Sequence, residues 1–537
     1  MMFELTPSFL SWIAVLAILF TFIFSAIYNL KFHPLAHIPG PKLAAATQWY
    51  EFYFDILKWP GGQYMFEIDR MHGIYGPIVR VSPHEVHIKD PEWFETLFCT
   101  ASGGARDKWP PAAKLVGTPL GIFGTIEHNV HRIRRAAVSN FFSKKSIVEI
   151  EPFIQKEANK LCDLMQRQFD RDGVAELRTD YFAYAADVIS GHAFDEQMHL
   201  LDDEDVARQW RKTIGALAFL TPLVKQLPWL IPFAMRLPVA FWNVMTPSLA
   251  RIVAFHREMR RQANATLCQA TDHSFLDSLE NTGESESIPK FKVDTVRTFT
   301  KRPTVFQTVL LSNLPPEEKS RERLTQEGFV FMAAGGETVG RTLMAATYHI
   351  IANKDKVLPR LKQELAGAMP DSAQPIDVRT LETLPWLSAI IRESLRVSAL
   401  FTARLPLVAP SQTLTYGNYT LPAGVPVSMN LPDILLDSKI FPEPHEFRPE
   451  RWLSTNPDRE FINRFYVPFS KGTRACIGMG LAYTELYIAL ATVFRRFDLE
   501  LSEVDYERDV KTCRDCFVAE TRLDSKGVHV KPVALAN

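Results

Sequence analysis

Cysteine is scarce. Six in 537 residues are too few for a disulfide scaffold and suit a reducing compartment. Net charge is nearly absent too. Sixty Lys and Arg stand against 61 Asp and Glu, leaving −1, so no basic field favours nucleic acid. Beyond residue 45 there is no internal repeat and no long low-complexity linker. With 47% apolar and 23% charged residues, the chain is not intrinsically disordered. At about 150 residues per domain, its length predicts three or four units.

Charge is withheld most completely from the start. Leu5 to Leu30 carries no charged side chain, and Phe9 to Leu30 is almost wholly apolar. As a helix, this run spans about 33 Å, enough for a bilayer core. Trp12 and Tyr28 near its ends suit the two interfaces. A cleaved signal peptide would want a basic start, a shorter apolar core and a small-residue cleavage site. Here Glu4 precedes the run, and Lys31, His33 and Lys42 follow it. The expectation is a permanent anchor over 9–30 with the following chain in the cytoplasm. The sequons at Asn264 and Asn418 then stay unglycosylated. Residues 31–45, with Pro34, Pro39 and Pro41, read as a stiff non-helical spacer. Residues 46–537 form the globule.

Within the globule, 77–81 and 85–88 alternate like a hairpin, and 414–429 is a second β region. Helical periodicity covers 143–172, 178–190, 203–220, 246–269, 322–353, 356–369, 380–398 and 479–497. The expected fold class is mainly α with a small β-sheet region. The stretch Leu217 to Phe255 is rich in Leu, Phe and Trp and broken by Pro222, Pro228, Pro232, Pro238 and Pro247. It reads either as buried core or as a membrane-touching lid over an apolar cavity. Glu280 to Ile288 reads as a surface loop.

Three motifs carry chemistry. The helix over 324–353 holds Ala333-Ala334-Gly335-Gly336-Glu337-Thr338-Val339-Gly340 at its centre. Each of its three glycines costs about 1 kcal/mol against alanine. Such a helix either lets something approach its backbone closely, opens locally, or packs through small residues with Glu337 partnered. Glu393 and Arg396, at i and i+3, share a helix face and are a weak signal alone. The loop Phe469-Ser470-Lys471-Gly472-Thr473-Arg474-Ala475-Cys476-Ile477-Gly478 is the most informative. It offers one cysteine at a helix N-terminus, where backbone N–H groups favour a thiolate. Zinc would need three more ligands, and none is spaced for it. No histidine in the loop makes a Cys–His nucleophile. Cys513 and Cys516 form a lone Cys-x-x-Cys and read as incidental.

In this order, Ala-Gly-x-Glu-Thr, Glu-x-x-Arg and Phe-x-x-Gly-x-Arg-x-Cys-x-Gly resemble the cytochrome P-450 haem-thiolate monooxygenases over the whole globule. The anchor and Pro-Gly-Pro spacer are similar to the microsomal type. Phe447-Arg448-Pro449-Glu450-Arg451-Trp452 and the His131-Arg132-Ile133-Arg134-Arg135 run are similar to fungal enzymes of specialised metabolism, nearest the trichodiene-oxygenase-like sequences. The resemblance implies a cytochrome P-450 fold behind one transmembrane helix, with iron protoporphyrin IX (haem b) as cofactor. It makes Cys476 the axial ligand of the haem iron and Phe469 its neighbour. His131, Arg135 and Arg474 would meet the haem propionates. Gly335 and Gly336 would let the helix backbone approach bound O2, and Thr338 and Glu337 would manage protons. Glu393, Arg396 and Arg451 would form a structural network. Leu407 stands where a second propionate arginine is common, and Arg404 is the candidate replacement. Val339 replaces a common second hydroxyl. The implied function is oxidation of an apolar secondary metabolite, terpenoid first, with a polyketide or alkaloid as the alternative. The electrons would come from NADPH through NADPH–cytochrome P-450 reductase. A haem-thiolate isomerase or dehydratase, and a non-enzymatic haem-binding scaffold, are the competing classes. The implied location is the endoplasmic reticulum membrane, in contact with lipid, with the catalytic domain on the cytoplasmic side.

Overall fold

The computed structural model describes residues 7–115, 117–238, 241–242, 245–270, 302–371 and 374–533. The loop expected over Glu280–Ile288 lies outside them. One large hydrophobic cluster runs from Leu35 to Val530, and a smaller one gathers Phe54, Tyr64, Ile68, Met71 and Val79. The main helices are α1 (Pro7–Lys31), α2 (His128–Ser139), α3 (Lys144–Asp172), α4 (Leu177–Ala193) and α5 (Glu204–Gln226). They continue with α6 (Pro247–Ala270), α7 (Arg321–Ala352), α8 (Pro385–Ser398) and α9 (Met479–Arg496). Two of these differ from the periodicity. α5 runs through Pro222, which the sequence suggested as a break. The run 380–398 splits, because Pro385 starts α8 after the short helix Val378–Glu382.

Helix α1 matches the apolar run and is exposed from Trp12 to Phe24 among the described side chains, with Trp12, Phe20 and Phe24 more than 60% accessible. The following segment is not a free spacer. Leu35 and Ile38 are buried in the core, the Arg80 N–H donates to Pro39 O at 2.7 Å, and Lys42–Ala46 is helical. A Cβ on Gly40 would stand 2.6 Å from Arg80 O, which is why this position is glycine.

The strands are short: β1 (Ile78–Arg80), β2 (Val86–Ile88), β3 (Asp107–Lys108), β4 (Ala175–Glu176), β5 (Leu407–Val408) and β6 (Leu414–Tyr416). The rest are β7 (Tyr419–Leu421), β8 (Pro426–Ser428), β9 (Leu499–Ser502), β10 (Arg514–Cys516), β11 (Val518–Glu520) and β12 (His529–Pro532). The expected hairpin is there, with Ile78 opposite Ile88. It widens into a five-stranded sheet of order β1-β2-β8-β5-β3. β8 joins β2 in parallel, a pairing no local pattern announces. The smaller units are β4-β12-β9 and the hairpins β6-β7 and β10-β11.

The centre is α7 lying along α4. Nearly all of α4 is buried, as expected of a helix with neighbours on every side. The α7 glycines explain the close approach. A Cβ on Gly335 would meet Ile189 at 2.7 Å, and one on Gly340 the Phe182 backbone at 2.9 Å. Gly336 faces Phe182 and Ala186. These glycines therefore serve helix packing, and α7 is unbroken. The expectation that Gly335 and Gly336 turn toward bound O2 is corrected: they turn toward α4.

Candidate active site

On the other face of α7, Ala333 and Ala334 are exposed although they lie mid-helix inside the protein. They open onto a cavity of about 800 Å³. Glu337, Thr338 and Thr342 line it too, and Cys476, Phe469, Arg474, His131 and Arg135 border it. The structure thus gathers the sequence-predicted chemistry into one space, apart from the glycines and the Glu393 network.

Cys476 sits just before α9, in a turn closed by its own N–H donating to Phe469 O at 3.0 Å. Its thiol lies deep in the protein yet is open to the cavity. Burial raises its pKa, and the Gly478 N–H and Arg135 pull only partly against that. The helix N-terminus alone therefore does not make the thiolate the sequence suggested. A cation bound at sulfur would complete the ionisation. Gly472, at φ +70°, lets the loop pass Phe98 and Cys99, where a Cβ would stand 2.3 Å from Cys99 O. The Phe469 ring packs on Tyr483 at 5.3 Å.

Basic groups gather at the cysteine end. Arg135 Nη1 donates to Ala475 O at 2.7 Å. Arg474 donates to Thr125 O and Ile126 O, each at 2.7 Å, and its Nε is buried without a partner. Burial first, then Arg474, Arg135 and Lys108, push the His131 pKa down to about 2, so the ring is neutral. Lys108, at the end of β3, completes the group. It is 4% exposed, its ammonium lies 3.4 Å from the Phe123 ring centroid, and burial holds its pKa well below the ordinary range. Sequence reasoning missed Lys108. A single lysine in an irregular loop carries no signal until β3 pairs with β5 at Leu407.

Among the described residues, Lys108, Arg135 and Arg474 have no carboxylate partner. Buried cations without anions are costly, so the cluster is built for an anion from outside the chain. A haem fits this donor set: one sulfur for its iron, and Lys108, Arg135, Arg474 and neutral His131 for its propionates. Arg404 is not part of it. Its guanidinium is buried against Glu51 and Glu85, each at 2.8 Å, so the suggestion that it replaces the contact at Leu407 is corrected. Lys108, facing Leu407 across the sheet, is the cation placed to do so.

On α7, Thr338 Oγ1 donates to Ala334 O at 2.8 Å, leaving its lone pairs for the cavity. Glu337 Oε1 accepts from Arg178 Nη2 at 3.1 Å and lies 3.8 Å from Arg341. Both arginines also bind Glu520, at 2.9 and 2.6 Å. Glu393 and Arg396 lie away from the cavity and are fully buried. Arg396 binds both Glu393 oxygens at 2.8 and 2.9 Å, and Arg451 joins at 3.3 Å, as a structural network should.

Above α7 the walls are apolar: Ile214, Leu217, Phe233, Phe329, Phe401 and Phe517. Phe517 holds φ +79° in the β10–β11 turn, where Asp515 Oδ1 accepts its N–H. Cys513 and Cys516 are both free thiols. Within Leu217–Phe255, Phe219, Trp229 and Phe241 are exposed while Leu217 and Trp242 line the cavity. The stretch is therefore a roof, not buried core.

The cytochrome P450 family model matches residues 46–519. The chain is 37% identical to the cytochrome P450 monooxygenase MO6277 of Ascocoryne sarcoides, over 94% of this chain and 95% of the relative. It is 36% identical to the tryptophan 6-hydroxylase fscE of Fusarium equiseti, over 94% and 93%. It is 33% identical to the cytochrome P450 monooxygenase TRI4 of Fusarium sporotrichioides, over 89% and 87%. Near-full-length relatives and an anion-seeking cavity entered by one thiol lead to the same place: the chain belongs to the cytochrome P450 family of monooxygenases.

Proposed function

We propose that this chain is a membrane-anchored monooxygenase of fungal specialised metabolism that oxidises an uncharged, apolar small molecule, a terpenoid by preference. The observation that carries it is the cavity lining. Among the described residues, Glu337 is the only charged group on the walls beyond the basic cluster at the cysteine end. A free amino acid would find only Glu337, already bonded to Arg178, for its ammonium, and beyond the basic cluster no cation for its carboxylate. The tryptophan hydroxylase among the relatives is therefore the weaker guide to substrate, and a polyketide or alkaloid scaffold is the alternative.

Haem b, held by Cys476 and the basic cluster, would supply O2 activation, with sulfur donating electron density to iron. The chain's own groups do the rest. Thr338 would hold a water by its hydroxyl, and the adjacent Glu337 would help relay protons. The apolar roof excludes bulk water. Electrons would come from NADPH–cytochrome P-450 reductase. Helix α1 would anchor the chain in the endoplasmic reticulum, with the catalytic domain cytoplasmic. Exposed Leu43, Trp49, Leu57 and Trp59 beside the roof would rest on lipid.

The test uses microsomes containing the full chain and reductase. Reduced and treated with carbon monoxide, they should show the red-shifted Soret band of a thiolate-ligated haem, and Cys476→Ala should abolish it. Survival of the band in that variant would overturn the assignment. Trichodiene and tryptophan, offered with NADPH, separate the substrate readings by which one gains oxygen.

A further inference from the structure

Four elements distant in sequence meet behind Glu337. Arg178 comes from the first turn of α4, Glu337 and Arg341 from α7, Glu520 from β11, and Arg211 from α5. Arg178 Nη2 donates to both Glu520 oxygens, at 2.9 and 3.1 Å, but to a single Glu337 oxygen at 3.1 Å. Arg341 Nη1 stands 2.6 Å from Glu520 and 3.8 Å from Glu337. Glu520 thus takes the larger share of both guanidiniums. Burial raises the Glu520 pKa, but Arg341 and Arg178 outweigh it and hold the group ionised. Arg211 is half-buried beside them, and burial first, then Arg178, lower its pKa against Glu176, Glu337 and Glu520. The cluster is incompletely bonded. Arg178 Nε has no partner, and only Oε1 of Glu337 is engaged.

We propose that Glu520 is a positioning residue for proton delivery: by competing for Arg178 and Arg341, it keeps Glu337 from being locked as an ion-paired carboxylate and so lets it exchange protons at the cavity wall. The inference rests on the relay role given to Glu337 above. The physics is a competition. Two carboxylates share two guanidiniums at short range in a low-dielectric interior, where each gain for one is a loss for the other. Neutralising Glu520 turns both arginines onto Glu337 and draws it into a tighter ion pair.

The experiment compares Glu520→Gln, Glu337→Gln and the double variant in the full chain with reductase and NADPH. No added substrate is needed. Electrons from NADPH reduce O2, and the readout is the peroxide released per NADPH oxidised: two electrons and two protons give H2O2, whereas four of each give water. Glu520→Gln should raise the peroxide share about threefold and enlarge the solvent isotope effect on NADPH oxidation. The carbon monoxide spectrum and the spectral titration with imidazole should not move. In the Glu337→Gln background, the Glu520 substitution should add nothing. Glu520→Asp should show a smaller rise of the same sign, and it carries the test by itself if Glu520→Gln fails to load haem. An unchanged peroxide share, or an effect of equal size in the Glu337→Gln background, would overturn the proposal. Loss of the thiolate band in the unmodified chain would instead defeat the haem assignment. A band with no effect of Glu337→Gln would defeat the relay.

Discussion

Two buried clusters of arginine and glutamate, one around Glu393 and one around Glu337, differ in how completely they are closed. Glu393 Oε1 accepts from Arg396, the Arg448 N–H and Arg451, and Oε2 from Arg396 and the Trp452 indole. The remaining Arg396 N–H groups reach the carbonyls of Leu435, Pro444 and Glu446. That network pins the chain between Leu435 and Trp452 onto α8. Around Glu337 the same residue types leave a guanidinium nitrogen unpartnered and border the cavity. Full satisfaction gives a rigid, unique arrangement, and incomplete satisfaction beside a cavity leaves room for exchange. Residue type does not separate structure from chemistry here; closure does.

The comparison breaks most clearly at Glu393. Glu393→Gln leaves Arg396 buried without its counter-charge, a loss of about 3–5 kcal/mol. Against a typical total of about 5–15 kcal/mol, that should prevent haem loading, read as loss of the carbon monoxide band at normal transcript level. Wild-type holoprotein yield would show that the closed cluster is dispensable. A milder effect is expected in the open region. Thr338→Ala gives up one hydroxyl bond to Ala334 O, so stability should stay within about 0.5 kcal/mol and the spectrum should persist. Product per NADPH should fall and peroxide rise. Unchanged coupling would remove Thr338 from proton handling.

A pH-dependent effect sharpens the closed side. His349 stacks on Phe447 with centroids 5.0 Å apart. Burial, only partly offset by Glu393, pushes its pKa down to about 4. Unfolded, it titrates near about 6.5. Between these values the unfolded chain binds more protons, so stability falls as pH drops from about 6.5 to 4, by up to about 1.4 kcal/mol per pH unit. His349→Phe should flatten this part of the melting temperature against pH curve. An identical curve would show that His349 does not report on the closed cluster.

The cysteine loop, the Glu393–Arg396 pair and the Glu337–Thr338 pair were legible because each is carried by neighbours along the chain. So were the N-terminal apolar helix and most long helices, whose patterns repeat every few residues. Other features needed the fold. Gly335 and Gly336 sit in a motif that points to oxygen, yet the face they occupy is decided by Ile189, Phe182 and Ala186 of α4, far earlier in the chain. Arg404 looked available until Glu51 and Glu85 claimed it from 353 and 319 residues away. Lys108 gained meaning only when β3 paired with β5.

By itself the sequence determined that a bilayer-length helix precedes a mainly helical globule, and that one cysteine among six stands in a glycine-framed loop just before a helix. Those follow from composition and short spacings, which act locally. Tertiary structure alone decided that the glycines pack, that Lys108, Arg135 and Arg474 gather without a carboxylate partner among the described residues, and that Glu337 shares its arginines with Glu520. Ion pairing and burial depend on which distant groups are brought within a few ångströms, and no local pattern encodes that distance.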